Sequence, residues 1–105
     1  MIQDNEEALK NFESCLKLDP KNAVVNFELA GLYFIESQPS EAKEKAKIAI
    51  EQDPKNEWYR LRYIEILTVT GQNSELIGQW EMLVEQFPNR LGFKLQLAQA
   101  YLQDL

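Results

Sequence analysis

Prolines at positions 20, 54 and 88 recur every 34 residues, and each closes an amphipathic stretch. The first two sit in the same tetrad, Asp19-Pro20-Lys21-Asn22 and Asp53-Pro54-Lys55-Asn56. A fixed period of this size means stacked helical hairpins. It bounds function too, because repeat stacks mostly bind other proteins and seldom do chemistry.

The punctuation predicts six helices, over about 5–18, 23–36, 41–52, 57–70, 75–86 and 90–104, in one domain spanning 1–105. Proline separates helices because it has no backbone N–H to donate and disfavours helix in the residue before it. Asn22 and Asn56 follow two residues later as N-caps of the next helices. The other breaks are Ser37-Gln38-Pro39-Ser40 and Gly71-Gln72-Asn73-Ser74. Gly71 suits a left-handed helix end, and Ser40 and Ser74 suit N-caps. Glu6 with Lys10, Glu13 with Lys17 and Glu41 with Lys45 are i,i+4 pairs in the favoured order, marking solvated faces.

Charge and composition narrow the function classes. Eleven basic against seventeen acidic residues give a net charge of −6, which disfavours nucleic acid and anionic membrane surfaces as partners. With no histidine and one cysteine, no zinc set or internal disulfide is expected, and no cofactor motif is present. No apolar run is long enough to cross a membrane. The opening Met1-Ile2-Gln3-Asp4-Asn5-Glu6-Glu7 lacks the basic and apolar regions of a signal peptide. The charge and the single cysteine suit a cytoplasm and a periplasm alike. Catalysis finds no support: Cys15 has no imidazole to activate it, and there is no glycine-rich phosphate loop. The chain is not expected to be an enzyme.

Aligned on the prolines, the residues fall into columns. Ala8, Ala42 and Leu76 share one; Phe12, Ala46 and Trp80 the next; Cys15, Ala49 and Leu83 a third. In the other helix of each pair, Leu29-Ala30 and Tyr33 recur as Leu97-Ala98 and Tyr101, and more loosely as Tyr63-Ile64 and Leu67. This pattern resembles the tetratricopeptide repeat, with its leucine–small pair followed by tyrosine, alanine, an aromatic and proline. The resemblance covers essentially the whole chain. It implies an all-α, right-handed superhelical solenoid of antiparallel helix pairs. Small residues (Ala8, Ala30, Ala42, Ala98) are expected to let helices approach closely, with Phe12, Tyr33, Trp80 and Tyr101 filling the gaps. Cys15 stands where alanine is usual and is expected to be a small buried thiol; a redox role would need exposure and a positive neighbourhood.

The chain departs from the family where tryptophan is common, carrying Asn26, Arg60 and Lys94 instead. The middle repeat is least regular, with Ile64 and Leu76 at small-residue positions, and helix spacing there is expected to change. In the family each repeat is an inner helix A followed by an outer helix B. This chain reads B, A–B, A–B, A: two whole repeats flanked by two halves. The last helix, with Leu91, Phe93, Leu95, Leu97, Leu102 and Leu105, has no clean polar side. A place in a longer array, or cover by another copy, is therefore expected.

The resemblance further implies a concave groove lined by the A helices. Its residues here are Val24, Phe27, Gly31, Phe34 and Ile35; Trp58, Leu61, Glu65, Thr68 and Val69; and Gly92, Leu95, Gln99, Leu102 and Gln103. Some family members grip the acidic C-terminus of heat-shock chaperones with a lysine and asparagine clamp. Phe27 and Gly31 stand at those places, so carboxylate capture is not expected. An amphipathic helix or apolar segment of a protein partner suits the groove better, with Trp58 and Phe34 as anchors. The groove is either open or filled by its own side chains. Glu65 either pairs with a basic partner residue or reaches solvent. Gly31 and Gly78 serve close packing, or at Gly31 make room for a ligand backbone. The alternative to a protein-binding scaffold is a structural spacer or self-association module acting through the ends. A binder of an apolar small molecule is weaker still, since an open groove buries too little of one.

Overall fold

The two Asp-Pro-Lys-Asn tetrads fold alike. The Asp19 carbonyl accepts from the backbone N–H of Asn22 at 3.2 Å, and the Asp53 carbonyl from that of Asn56 at 3.1 Å. Each asparagine then caps the helix it precedes. The Asn22 side chain accepts from the N–H of Val25 (3.0 Å), and the Asn56 side chain from those of Trp58 (2.9 Å) and Tyr59 (3.3 Å). Such caps satisfy helix N–H groups that have no partner of their own and contribute about 1 kcal/mol each.

The computed structural model describes residues 2–104 as six helices. They are α1 (Ile2–Leu18), α2 (Ala23–Ile35), α3 (Pro39–Gln52), α4 (Glu57–Thr70), α5 (Asn73–Gln86) and α6 (Leu91–Gln103), with no strand among the described residues. Leu105 lies outside them. Two cap expectations are corrected. Helix α3 starts at Pro39, which suits a first turn because its missing N–H would have had no partner there, so Ser40 lies inside the helix. Helix α5 starts at Asn73, which places Ser74 inside as well. The residues before these helices, Gln38 and Gln72, make no side-chain cap bond.

Helices α2 and α4 end in matching turns. Gly71 has φ 72°, and Ser37, one period earlier, has φ 59°. Gln38 N–H closes onto the Tyr33 carbonyl (2.8 Å), as Gln72 N–H closes onto that of Leu67 (3.2 Å). A left-handed residue with this long-range closing bond is the usual way to stop a helix. Ser37 adopts a backbone that glycine takes more cheaply.

Sequential helices pack antiparallel, and α2 also touches α4. The tightest pair is α2 with α3, where Leu29, Ala30, Ala42, Ala46 and Ala49 are all fully buried. Three alanines on one face of α3 let the axes approach closely. The α4–α5 pair is looser, and Ile64 and Leu76 occupy the corresponding columns. This agrees with the spacing change expected of the middle repeat. The core continues through Tyr63, Ile66, Leu67, Leu83 and Phe93, with Trp80 and Phe87 packed against it.

The tryptophan column holds the least expected feature. Asn26 is fully buried, and Arg60 is only 2% exposed. Each donates to the proline carbonyl six residues back: Asn26 Nδ2 to Pro20 at 3.2 Å, and Arg60 Nη2 to Pro54 at 3.2 Å. A polar staple between helix and preceding turn thus replaces the large aromatic. Arg60 Nη1 also donates to Gln79 Oε1 (2.6 Å). No carboxylate pairs with Arg60 among the described residues, and burial lowers its pKa.

Four expectations about packing are corrected. Cys15 is exposed rather than buried, and so is Ala98; Tyr101 is 46% exposed. All three belong to the end helices, where the element that buries their column elsewhere is missing among the described residues. Gly78 has nothing within 4 Å of where a Cβ would stand, so close packing does not account for it.

Candidate functional site

The surface shared by α2 and α4 carries the larger of two recesses on the expected face. It holds about 220 Å³ and is lined by Phe27 from α2 and by Trp58, Leu61, Arg62 and Glu65 from α4. Four of these five were expected on the groove. Their spacing places them on one stripe of α4, since residues three and four apart face the same way. Trp58 stands at the rim with 64% of its surface exposed, while Phe27 and Leu61 are half-buried below it.

Arg62 is the residue that the sequence reading missed. Its guanidinium lies 3.9 Å over the Phe27 ring, and its Nη1 donates to the Phe27 carbonyl at 2.8 Å. It therefore latches α4 to α2 across the groove floor. Gly31 makes the latch possible. A Cβ at that position would sit 2.6 Å from Arg62 Nη1 and 2.8 Å from Cζ. The glycine makes room for a side chain of the same molecule, so this part of the groove is partly self-filled. The signal was present in the sequence: position 62 falls between 58, 61 and 65 on the same helical stripe.

Glu65 is exposed and makes no ion pair among the described residues. Phe34 is half-buried and packs against the core, which leaves it a supporting role. Val24, Ile35 and Val69 are exposed apolar residues at the edges of the face.

The α6 residues do not join this recess. Helix α6 packs on α5 rather than along α4. Arg90 ties its start to Glu57 of α4 at 2.7 Å. Towards its other end a second, smaller recess of about 130 Å³ opens, with Thr68 and Gln99 in its lining beside Leu76, Trp80, Gln96, Ala100 and Gln103. Leu95 and Leu102 are exposed and line neither recess, and Gly92 is exposed too. The A-helix face is thus two recesses with apolar edges, rather than one continuous trough.

Elsewhere, the Tyr63 hydroxyl donates to Glu75, which Lys43 Nζ also reaches at 3.1 Å. The Tyr63 hydrogen bond, and then Lys43, hold the Glu75 carboxyl below its ordinary value, while burial first, and then Glu75, push the Tyr63 hydroxyl up. No cluster of side chains able to hold a metal occurs among the described residues. No described helix is long and apolar enough to cross a membrane.

Neither a family model nor a curated protein sequence matches this chain. Solved structures do. The first tetratricopeptide-repeat domain of Spaghetti (RPAP3), bound to an HSP90 peptide, superposes with a TM-score of 0.79 at 18% identity, over 96% of this chain and 80% of that one. The Yersinia enterocolitica type III secretion chaperone SycD, in complex with a peptide of the translocator YopD, gives 0.80 at 19% identity, over 98% and 84%. The Thermus thermophilus tetratricopeptide protein TTC0263 gives 0.79 at 21%, over 93% of this chain and half of that one. At such identities the likeness speaks for the fold, and it agrees with the 34-residue period, the paired caps and the alternation of A and B helices: the chain is folded as a tetratricopeptide-repeat solenoid of two whole repeats and two flanking half repeats.

Proposed function

We propose that the chain is a non-catalytic scaffold that holds an apolar segment of a partner protein across the α2–α4 recess. The observation that carries this is Trp58, a large aromatic left mostly exposed beside half-buried Phe27 and Leu61. Large aromatics at the rim of a recess are the residues on which binding energy concentrates. Two of the structural neighbours hold peptides, of HSP90 and of YopD, which supports peptide binding as a use of this fold. Phe27 and Gly31 in the first A helix carry no cation themselves, and the cation that fills the space beside them, Arg62, is engaged with the Phe27 ring and carbonyl. The aromatic and aliphatic lining selects an apolar side chain instead, with Arg62 at the floor and Glu65 on the exposed side offering polar contacts.

The scaffold is rigid where it matters. The Arg62 latch and the buried alanine seam of α2–α3 hold the recess in one shape, so a partner loses little affinity to ordering it. The test is a display selection of apolar and amphipathic peptides, followed by titration against labelled hits. Trp58→Ala weakens those hits about tenfold or more and leaves far-UV helicity unchanged, because Trp58 is exposed. Equal affinity for the variant removes the recess as the site, and loss of helicity makes Trp58 structural.

A further inference from the structure

We propose that the segment held in the α2–α4 recess carries a basic side chain beside its apolar anchor, and that Glu65 receives it; this rests on the reading of that recess as the partner site. Glu65 is the one carboxylate in the recess lining, and it is exposed. The one cation in that lining, Arg62, stands three residues away on α4, a spacing at which opposite charges on a helix meet. Arg62 nevertheless turns to the other helix. It donates to the Phe27 carbonyl at 2.8 Å and lies 3.9 Å over the Phe27 ring. No ion pair involves Glu65 among the described residues. The recess thus uses its own cation on an uncharged carbonyl and leaves its carboxylate free.

That division of charge is built into the packing. The space over Gly31 is shaped to the guanidinium, since a Cβ there would stand 2.6 Å from Nη1. Swinging Arg62 out to Glu65 would exchange a hydrogen bond and a ring contact for an exposed ion pair, which stabilises little. The same comparison decides the partner's charge. An acidic partner residue has to draw Arg62 off Phe27, whereas a basic one meets Glu65 with nothing to displace. Glu28 adds to the negative field: it is exposed, makes no ion pair among the described residues, and lies one turn of α2 from both Val24 and Gly31. The net charge of −6 favours encounter with a basic segment in the same sense.

Helix geometry sets the partner's spacing. Leu61 and Glu65 are one turn apart, about 6 Å along α4. A partner residue seated on Leu61, between Phe27 and Trp58, therefore reaches Glu65 through a side chain two positions away in an extended segment, at about 3.3 Å per residue, or four positions away in a helix. Both spacings put anchor and cation on one side of the partner. Because Glu65 is exposed, the pair contributes modestly to affinity; its larger effect is to reject acidic segments.

Selection from a random-peptide display library on the 105-residue chain tests it, with the enriched sequences then titrated as synthetic peptides onto wild type, Trp58→Ala, Glu65→Gln and Glu65→Lys. Trp58 and Glu65 are exposed, and circular dichroism checks that each variant folds. Lysine or arginine is expected two or four positions from an apolar residue. Glu65→Gln is expected to weaken these peptides about two- to fivefold and Glu65→Lys about tenfold. A second selection on Glu65→Lys is expected to exchange the basic residue for an acidic one. Peptides that need Trp58, show no basic preference and bind Glu65→Lys as tightly as wild type overturn this inference and leave the recess reading standing. Enrichment of acidic residues on the wild type also overturns it, since Arg62 would then leave Phe27 to meet the partner. Peptides indifferent to Trp58→Ala, or a library that yields no binder, overturn both readings.

Discussion

Gly31→Ala and Arg62→Met should be strongly coupled, and the coupling measures the latch across the groove floor. Arg62→Met keeps most of the aliphatic stem but removes the hydrogen bond to the Phe27 carbonyl and the cation over the Phe27 ring. A charged donor to a carbonyl contributes about 1.5–3 kcal/mol and a cation–π contact about 0.5–1 kcal/mol at exposed sites. Arg62 is half-exposed, and the Phe27 carbonyl lies in a helix that already uses it, so the lower part of the range applies: about 1–2 kcal/mol together. Gly31→Ala removes a helix-interior glycine, worth about 1 kcal/mol in favour of the variant. Its Cβ, however, would stand 2.6 Å from Nη1 and evict the guanidinium, so the same latch energy is lost. The alanine is therefore expected to be about neutral or slightly destabilising in the wild type, yet stabilising by about 1 kcal/mol once position 62 is methionine. Urea denaturation of the four proteins gives the cycle. A coupling of about 1–2 kcal/mol is expected, well above the ~0.5 kcal/mol within which independent sites add. Additive effects would mean that Arg62 does not occupy the space over Gly31, and both the latch and the self-filled floor would fall.

Three further outcomes follow from the same structure. Arg60→Met removes a buried guanidinium with no carboxylate partner, and Pro54 keeps a second donor in Gln86 Nε2 at 3.1 Å. Stability should therefore change by less than about 1 kcal/mol, whereas Arg60→Ala should lose about 2–4 kcal/mol to the cavity; a large loss for methionine in thermal melts would show that the staple itself matters. The depressed Glu75 carboxyl contributes stability that is fully present above its unfolded value of about 4.3 and is lost as pH falls through the lower folded value. The stability gap between wild type and Glu75→Gln should thus be steady near neutrality and shrink on acidification below about pH 4; a gap that widens reverses the sign. Ser37→Gly should stabilise by about 0.5–1 kcal/mol, the left-handed backbone cost less the added freedom of the unfolded chain, and Gly71→Ser should cost a similar amount; an unstable Ser37→Gly would mean that the serine side chain holds that turn.

What could be read from residues alone divides along a physical line. Helix ends and alternation were legible because proline, the Asp-Pro-Lys-Asn turn and Gly71 act within a few residues of themselves. Ser40 and Ser74 failed as caps on the same scale, because proline competes for the first helical position at one break and the chain turns earlier at the other. The columns reach further, but a column predicts burial only when the helix that covers it is there. Ala42, Ala46 and Ala49 are buried because α2 covers them, whereas Cys15, on the same column as Ala49, is exposed because nothing described covers it. The exposure of Cys15 thus follows from which helices pack on α1 among the described residues rather than from the thiol itself. Arg62 lies beyond both kinds of reasoning. Its stripe placed it on the groove, but its role depends on how closely α4 approaches α2, a distance set by the side chains of both helices together. Gly31 is where the two meet: its sequence position marked an anomaly, and only the packed structure shows that the anomaly accommodates an arginine. A groove whose floor is made by its own cation cannot be taken as an empty trough, and any partner of this face must either lie on Arg62 or displace it from Phe27.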